Sequence, residues 1–429
     1  MKKFILILLV LSLCNPSYAI RISGGNVSAK TGTDDSGQFI YSTNADNVTP
    51  LHGYQVITVC GDNRYLDFMH EDNNSDGETE TGIMHWSFPN NQMLFQYYRA
   101  DIGGTNADAD NHNYSWTTCN NSTGHLFRFG SAHVAQLAFF QTHSPGTDYG
   151  VHSWTSMTAP TNSDKGTYPR GCLESDGDWH TFWRQGDGAA NSQPYIETAK
   201  WNGSTWTEKR LVEWDASSDI NLAETARIYF EMYCHGDDAY FQFAVRDGNN
   251  TTTTPTSFWY IVFFKYEMDT GNAYKGDGTQ YTLPVDEADA DFIETGNMRN
   301  IGQVNYDSTK GVTLVYTIDS EGTGNWFGND QNIWSAYYDG GWQKNQVTNN
   351  DNSEEHRYFK LFGEDTHYIL HRDGGVNSVS KSTDFVNWTT TQPYLPCIGR
   401  TEQNPDPSKP ILCFERFGQD IKMFQINLP

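Results

Sequence analysis

Apolar and polar residues alternate with a period of two along short runs through most of the chain. Such runs include Tyr54–Cys60, Tyr65–Met69, Met93–Tyr98, His125–Phe129, Gln136–Gln141 and Trp179–Trp183. They continue through Arg227–Tyr233, Tyr240–Val245, Phe258–Phe264, Thr313–Thr317 and Tyr358–Phe362. A period of two marks strands with one face buried. Clusters of Gly, Asn and Asp between the runs supply turns. Ala, Leu, Glu and Lys at helical spacing are almost absent, and no linker breaks the rhythm. The expected fold class is all-β.

A weak internal repeat refines this expectation. The segment from Ala199 to Trp206 resembles that from Ser335 to Trp342: each reads as a strand, a turn and a Trp that opens another strand. Ser382 to Trp388 follows the Ser-x-Asp-x-x-x-Trp pattern of an Asp-box turn. Trp342 and Trp388 lie 46 residues apart, and Trp206 and Trp342 lie 136 apart, close to three such intervals. A period of about 45 residues with about four strands per unit is that of β-propeller blades. The chain is therefore expected to form a single seven-bladed β-propeller over residues 20–429.

Residues 1–19 read as a secretory signal peptide. Lys2 and Lys3 precede the apolar run Phe4–Leu13, and Ser17 and Ala19 supply small residues at the cleavage site. The run is too short to span a bilayer. The expectation is a protein secreted to the extracellular space or periplasm, without a membrane anchor. Aromatic residues make up 14% of the chain, including 13 Trp and 24 Tyr, which suits strands and sugar-stacking surfaces alike.

A net charge of −25 argues against nucleic acid as a partner. It would also repel an anionic substrate, unless a local basic patch or a salty medium screens the field over roughly 8 Å or less. Six cysteines follow the signal: Cys60, Cys119, Cys172, Cys234, Cys397 and Cys413. None forms a CxxC pair. Cys397 and Cys413 could form a disulfide or share a metal, and Cys172 with Cys234 and His235 is another candidate metal set. Buried free thiols are the third reading.

Candidate chemistry concentrates between Asp110 and Gly186. Asp110-Asn111-His112-Asn113 is followed by His133, by Thr167-Tyr168-Pro169-Arg170 and by Phe182-Trp183-Arg184-Gln185-Gly186. Two imidazoles, a phenol and a guanidinium suit proton abstraction beside a carboxylate. His or Tyr can move the proton, and Arg can neutralise the acid group. No phosphate loop or Ser-His-Asp signature competes with this set. Singly, each residue also has a structural reading: a turn for His112, an inter-strand hydrogen bond for His133, a strand end for Tyr168 and an ion pair for Arg184. His180, between Trp179 and Thr181 on a strand, is read as structural.

The order and spacing of these segments, with Gly278-Thr-Gln-Tyr-Thr-Leu-Pro-Val285, resemble the BNR-repeat propeller polysaccharide lyases of the ulvan lyase type. His112 and His133 lie 21 residues apart, and Tyr168 and Arg184 lie 16 apart. The resemblance is clear from about Tyr54 to Val285, and the chain departs from it at Tyr233-Cys234-His235-Gly236. It implies β-elimination in ulvan, an anionic algal polysaccharide of rhamnose 3-sulfate and uronic acids. Cleavage on the C4 side of a uronate would leave a 4,5-unsaturated uronyl end. His112, Tyr168 and Arg184 would be catalytic, with His112 and Tyr168 as base and acid and Arg184 neutralising the carboxylate. His133, Asn111, Asn113 and Tyr229 would bind substrate. No cofactor would be required, any Ca2+ or Zn2+ would be structural, its ligands unassigned, and a monomer is expected. A sialidase-like glycoside hydrolase would need an arginine cluster that the sequence does not show. A non-catalytic carbohydrate-binding propeller is the other alternative.

Overall fold

The computed structural model describes residues 39–42, 57–71, 79–87, 92–98, 114–120, 122–131, 138–142, 154–186, 195–214, 226–247, 258–319, 331–348, 356–373, 376–392, 397–399, 401–417, 420–426 and 428. The signal segment and the positions Asn111, His112, Asn113 and His133 lie outside them.

The described residues form antiparallel strands, with one short 3-10 turn at Thr161–Ser163. Strand β1 (Phe39–Ser42) stands apart in sequence. Next come β2 (Thr58–Cys60), β3 (Asn63–Glu71), β4 (Thr79–Ser87) and β5 (Gln92–Tyr98), which pair in that order as one sheet. A second sheet is built from β6 (Tyr114–Cys119), β7 (Leu126–Ser131), β8 (Ala138–Thr142) and β9 (Trp154–Met157). A third holds β10 (Gly166–Leu173), β11 (Trp179–Gln185), β12 (Tyr195–Trp201) and β13 (Trp206–Glu213).

The eight-stranded sheet that follows is two meanders joined. Its first part is β14 (Ala226–His235), β15 (Asp238–Asp247), β16 (Phe258–Glu267) and the short β17 (Asn272–Tyr274). Its second part is β18 (Asp291–Asp307), β19 (Gly311–Asp319), β20 (Gln331–Tyr338) and β21 (Trp342–Gln346). The join is β18, whose beginning pairs with β16 and whose remainder pairs with β19. Another four-stranded sheet comprises β22 (His356–Lys360), β23 (His367–Asp373), β24 (Val376–Ser382) and β25 (Thr389–Thr391). Last, β26 (Ile411–Phe417) and β27 (Asp420–Ile426) form a three-stranded sheet with β1, so the early strand and the end of the chain share one ladder.

Every strand-like run named from the sequence meets a strand here. The Trp repeat also has a structural meaning. Trp206 opens β13, Trp342 opens β21 and Trp388 directly precedes β25, so each stands just after the turn into the outermost strand of its meander. The Asp-box turn is formed. Asp384 Oδ1 accepts the amides of Val386 at 2.9 Å and Asn387 at 2.7 Å, and Ser382 Oγ donates to it at 2.9 Å. These donors hold the Asp384 carboxyl well below the usual carboxylate range. Phe385 takes φ +60° with its ring fully buried, and Trp388 Nε1 reaches Ser335 Oγ on β20 at 3.1 Å.

Successive sheets share aromatic and aliphatic cores. Phe127, Phe129, Trp179 and Trp183 join the β6–β9 and β10–β13 sheets, and Phe182, Phe241 and Phe264 continue inward to the next. Leu370 and Phe359 meet Ile411, Cys413 and Phe424 at the other end of the chain. Phe241 and Phe264 stack at 4.3 Å between centroids, and Phe182 meets Phe241 edge-on at 5.1 Å, geometries that add to simple burial.

Charged pairs between neighbouring sheets reinforce these cores. Arg128 on β7 contacts Asp67 on β3 at 2.7 Å. Arg170 on β10 faces Glu231 on β14 at 3.5 Å, and burial lifts the Glu231 carboxyl to about 8 against the pull of Arg170 and Arg357. Lys360 on β22 contacts Asp307 at the end of β18 at 2.8 Å. Glu402, which precedes β26, takes Arg64 of β3 at 2.6 Å, and Ile57 donates to the Thr401 carbonyl at 3.3 Å. The last segment of the chain thus sits against the first four-stranded sheet.

All six cysteines pair: Cys60 with Cys119, Cys172 with Cys234, and Cys397 with Cys413. This corrects the metal set proposed for Cys172, Cys234 and His235, because disulfide sulfurs carry no thiolate to bind a cation. It also removes the free-thiol reading. The first two bridges tie first strands of neighbouring meanders, β2 to β6 and β10 to β14.

His356 is buried on β22, and neither ring nitrogen has a hydrogen-bond partner among the described residues. Burial, with Arg357 and His371 beside it, holds its pKa down to about 3. The unfolded chain takes up this proton near pH 6.5, so stability falls as pH drops from there towards 3. The expected contribution approaches 1.4 kcal/mol per pH unit, roughly the value of one proton. Urea unfolding of His356→Leu should show a shallower acid slope than the wild type over that window, whatever its absolute stability. Asp384→Ala should lower the unfolding free energy by about 1–3 kcal/mol, because it orphans the turn amides.

Candidate active site

The strand β10 is irregular where the site begins. Thr167 pairs with Arg184, but the next register pair is Arg170 with Phe182, so Tyr168 and Pro169 form a bulge. Tyr168 takes φ +58°, a left-handed conformation that is strained for a bulky residue. Pro169 has no amide to donate, which suits a position where the ladder lapses. The bulge turns the Tyr168 ring towards β14.

On β11 the period of two places Trp183 and Gln185 on one face and Arg184 on the other. Trp183 Nε1 donates to Gln185 Oε1 at 3.0 Å, and Gln185 Nε2 donates to Asp164 at 2.9 Å. This relay fixes the end of the strand behind Arg184. Sequence reasoning did not assign Gln185 that role, although its i, i+2 spacing from Trp183 was the available signal.

Arg184 points between two phenol rings. Its guanidinium carbon lies 4.4 Å from the Tyr168 centroid and 4.6 Å from that of Tyr229 on β14. The rings themselves are 5.6 Å apart. Nη1 donates to the Ile228 carbonyl at 3.3 Å. Arg184 is only 1% exposed, Tyr168 2% and Tyr229 5%.

What this arginine lacks sets it apart. Arg64, Arg128 and Arg170 are equally buried, and each meets a buried carboxylate. Arg184 meets none among the described residues, and its Nε has no hydrogen-bond partner. Two aromatic faces are its compensation, and cation–π attraction supplies about 2 kcal/mol for a desolvated pair. That is less than the several kcal/mol required to remove the ion from water. The arrangement has one positive charge to spare, held beside a strained phenol.

Three of the residues named from the sequence, Tyr168, Arg184 and Tyr229, therefore come together at the seam between β10–β11 and β14. His112, His133, Asn111 and Asn113 lie outside the described residues. His180, read as structural, is buried and hydrogen-bonded to Glu174, which also takes Lys200 at 2.8 Å. No group of three or more His, Cys, Asp or Glu among the described residues is placed to hold a metal ion.

The model of the BNR repeat-containing family member matches residues 63–350, more than half of the chain. The chain belongs to the BNR repeat-containing family. Solved structures resemble it over nearly its whole length. A PL25 ulvan lyase is similar at a TM-score of 0.66 and 16% identity, covering 90% of this chain and 96% of that one. The PL25 ulvan lyase bound to -[GlcA(1-4)Rha3S]- gives 0.64 and 15%, with the same coverage. The polysaccharide lyase Uly1 gives 0.62 and 14%, covering 93% of this chain and 95% of that one. No curated protein matches the sequence. At these identities the likeness establishes a shared fold.

In this BNR-repeat chain the unmatched charge of Arg184 has a stability signature. Replacing an unpaired buried cation with an apolar chain of similar length relieves desolvation, whereas breaking a buried pair strands its partner. Arg184→Met should unfold within about 1 kcal/mol of the wild type, or above it, since the lost stacking offsets the relief. Arg128→Met should be destabilised by about 3–5 kcal/mol, because Asp67 is left unpaired. Chemical denaturation of the two variants side by side checks the contrast.

Proposed function

We propose that the protein is a secreted polysaccharide lyase that cleaves ulvan by β-elimination on the C4 side of a uronate. The observation that carries this reading is the uncompensated Arg184 stacked on the strained Tyr168. It sits in a fold shared with PL25 ulvan lyases, one of them bound to -[GlcA(1-4)Rha3S]-. The overall architecture is a seven-bladed propeller. The eight-stranded sheet counts as two blades, and the β1–β27–β26 sheet closes the ring through Glu402 and Arg64.

The C5–H of a uronate is weakly acidic while the neighbouring carboxylate is charged. A base removes that proton, electrons form the C4–C5 double bond, and the C4–O4 bond breaks. An acid delivers a proton to the departing O4, so no water is consumed. The chemistry thus needs a base, an acid and a positive charge near the developing enolate. His112, with an unperturbed pKa of about 6.5, serves at neutral pH. Tyr168 is its partner.

Burial of Arg184 refines its role. Closed in by two rings, the guanidinium acts first on Tyr168, because a cation over the ring face favours the phenolate over the phenol. Its positive charge is then available to the substrate carboxylate when the seam opens to admit it. His133, Asn111, Asn113 and Tyr229 would line the sugar. No metal enters the scheme, and any Ca2+ or Zn2+ would be structural.

The test is ultraviolet absorbance during incubation with ulvan, which reports the unsaturated uronyl product. Wild type should produce a steady rise, and His112→Ala and Arg184→Ala should each lose at least about 100-fold in rate, the scale of a positioned acid–base group. New reducing ends without the absorbance rise would mean hydrolysis. Neither signal would mean a binding propeller or a different polymer.

A further inference from the structure

At the other end of the β14–β16 strands from Tyr229 lies a pocket of about 430 Å3. That size falls within the range of small-ligand sites. Antiparallel register explains the placement. Tyr229 pairs with Ala244, while the pocket residue Tyr240 pairs with Tyr233. Four residues of strand separate the two sites, about 13 Å at the usual rise. The pocket also takes Lys265 and Phe263 from β16, Tyr274 from β17, Lys275 and Gly276 from the following turn, Lys310 from the β18–β19 turn, and Tyr338 from β20.

Its chemistry runs against the character of the chain. In a protein of net charge −25, this lining holds three lysines against one carboxylate, Glu267. Glu267 is already engaged by Lys265 at 2.8 Å and by Thr270 Oγ1 at 3.1 Å. Lys275 and Lys310 form no ion pair among the described residues. Each ammonium is instead held against an aromatic face: Lys265 lies 4.9 Å from the Tyr274 ring, Lys275 5.3 Å from Tyr281 and Lys310 4.6 Å from Tyr337. Gly276 lets the turn close onto Tyr338, since a Cβ there would lie 2.5 Å from the ring. Aromatic walls with fixed cations between them are what a ring-shaped anion requires: a face to stack on, and charges at its edge.

We propose that this pocket is a second glycan-binding site, remote from Arg184, that takes an acidic sugar unit carrying a carboxylate or sulfate. Lys275 and Lys310 contact the anionic group, and Tyr338 and Tyr274 flank the ring. Such a site would hold the polymer while the Tyr168–Arg184 seam acts elsewhere along it. Only the choice of ulvan as the first ligand rests on the lyase reading. Recognition of an anionic sugar by the pocket does not.

Affinity electrophoresis in gels containing ulvan, pectate or neutral dextran tests this, with Tyr168→Phe as the background so that the polymer stays intact. The paired variant Lys275→Ala/Lys310→Ala should bind ulvan roughly five- to tenfold more weakly, the scale of two solvent-accessible charge contacts. Lys275→Arg/Lys310→Arg should retain binding. A charge-matched control, Lys165→Ala/Lys381→Ala, should bind like its parent, and dextran should retard none of them. Unchanged retention in Lys275→Ala/Lys310→Ala overturns the assignment. So does an equal loss in the control, which would leave only overall charge, and so does a parent that neither acidic polymer retards. Lysine-dependent retention without any absorbance rise in wild-type assays would keep the second site and remove the lyase function.

Discussion

A charge taken out of water must be matched, and this fold is arranged around that constraint. Its sheets meet along polar seams, where a cation from one sheet finds a carboxylate from the next: Arg128 with Asp67, Arg170 with Glu231, Lys360 with Asp307, and Arg64 with Glu402. Isolated strands could not bury such groups, because each ion alone would lose its hydration for nothing. Neighbouring sheets therefore need each other for electrostatic as well as hydrophobic reasons. Two disulfides, between β2 and β6 and between β10 and β14, tie the same inner strands.

Against that regularity Arg184 stands out. It occupies a seam, it is as buried as its counterparts, and its neighbours are rings rather than acids. The bulge at Tyr168–Pro169 places one of those rings at the expense of a left-handed tyrosine. Strain and an unmatched charge at one point are features that selection for stability alone would remove. An anionic substrate, whose carboxylate must be neutralised as its C5 proton leaves, gives both a purpose.

Much of the fold was legible in the chain. Period-two runs located strands, and the recurring Trp marked the outermost strand of three meanders because it follows the same kind of turn each time. The Asp-box at Ser382–Trp388 was readable because its hydrogen bonds are local. Seam pairs were not readable: Arg170 and Glu231 lie 61 residues apart and Arg64 and Glu402 lie 338 apart, and many carboxylates competed as partners. Cysteine pairing was equally open for the same reason. Within the site, Tyr168, Arg184 and Tyr229 were named from the sequence and do meet. The burial of Arg184 could not be foreseen, since it depends on Tyr229 arriving from another sheet. The lysine–tyrosine pocket was hidden too, being assembled from three turns and four strands.

The central claim is that Arg184 and Tyr168 work as one unit. A double-mutant cycle in kcat/KM on ulvan, with Tyr168→Phe, Arg184→Met and their combination, measures it most directly. If the cation acts through the phenol, the double variant should be no slower than the slower single variant, as for residues that function together. Losses that multiply would mean two independent contributions and would contradict the account.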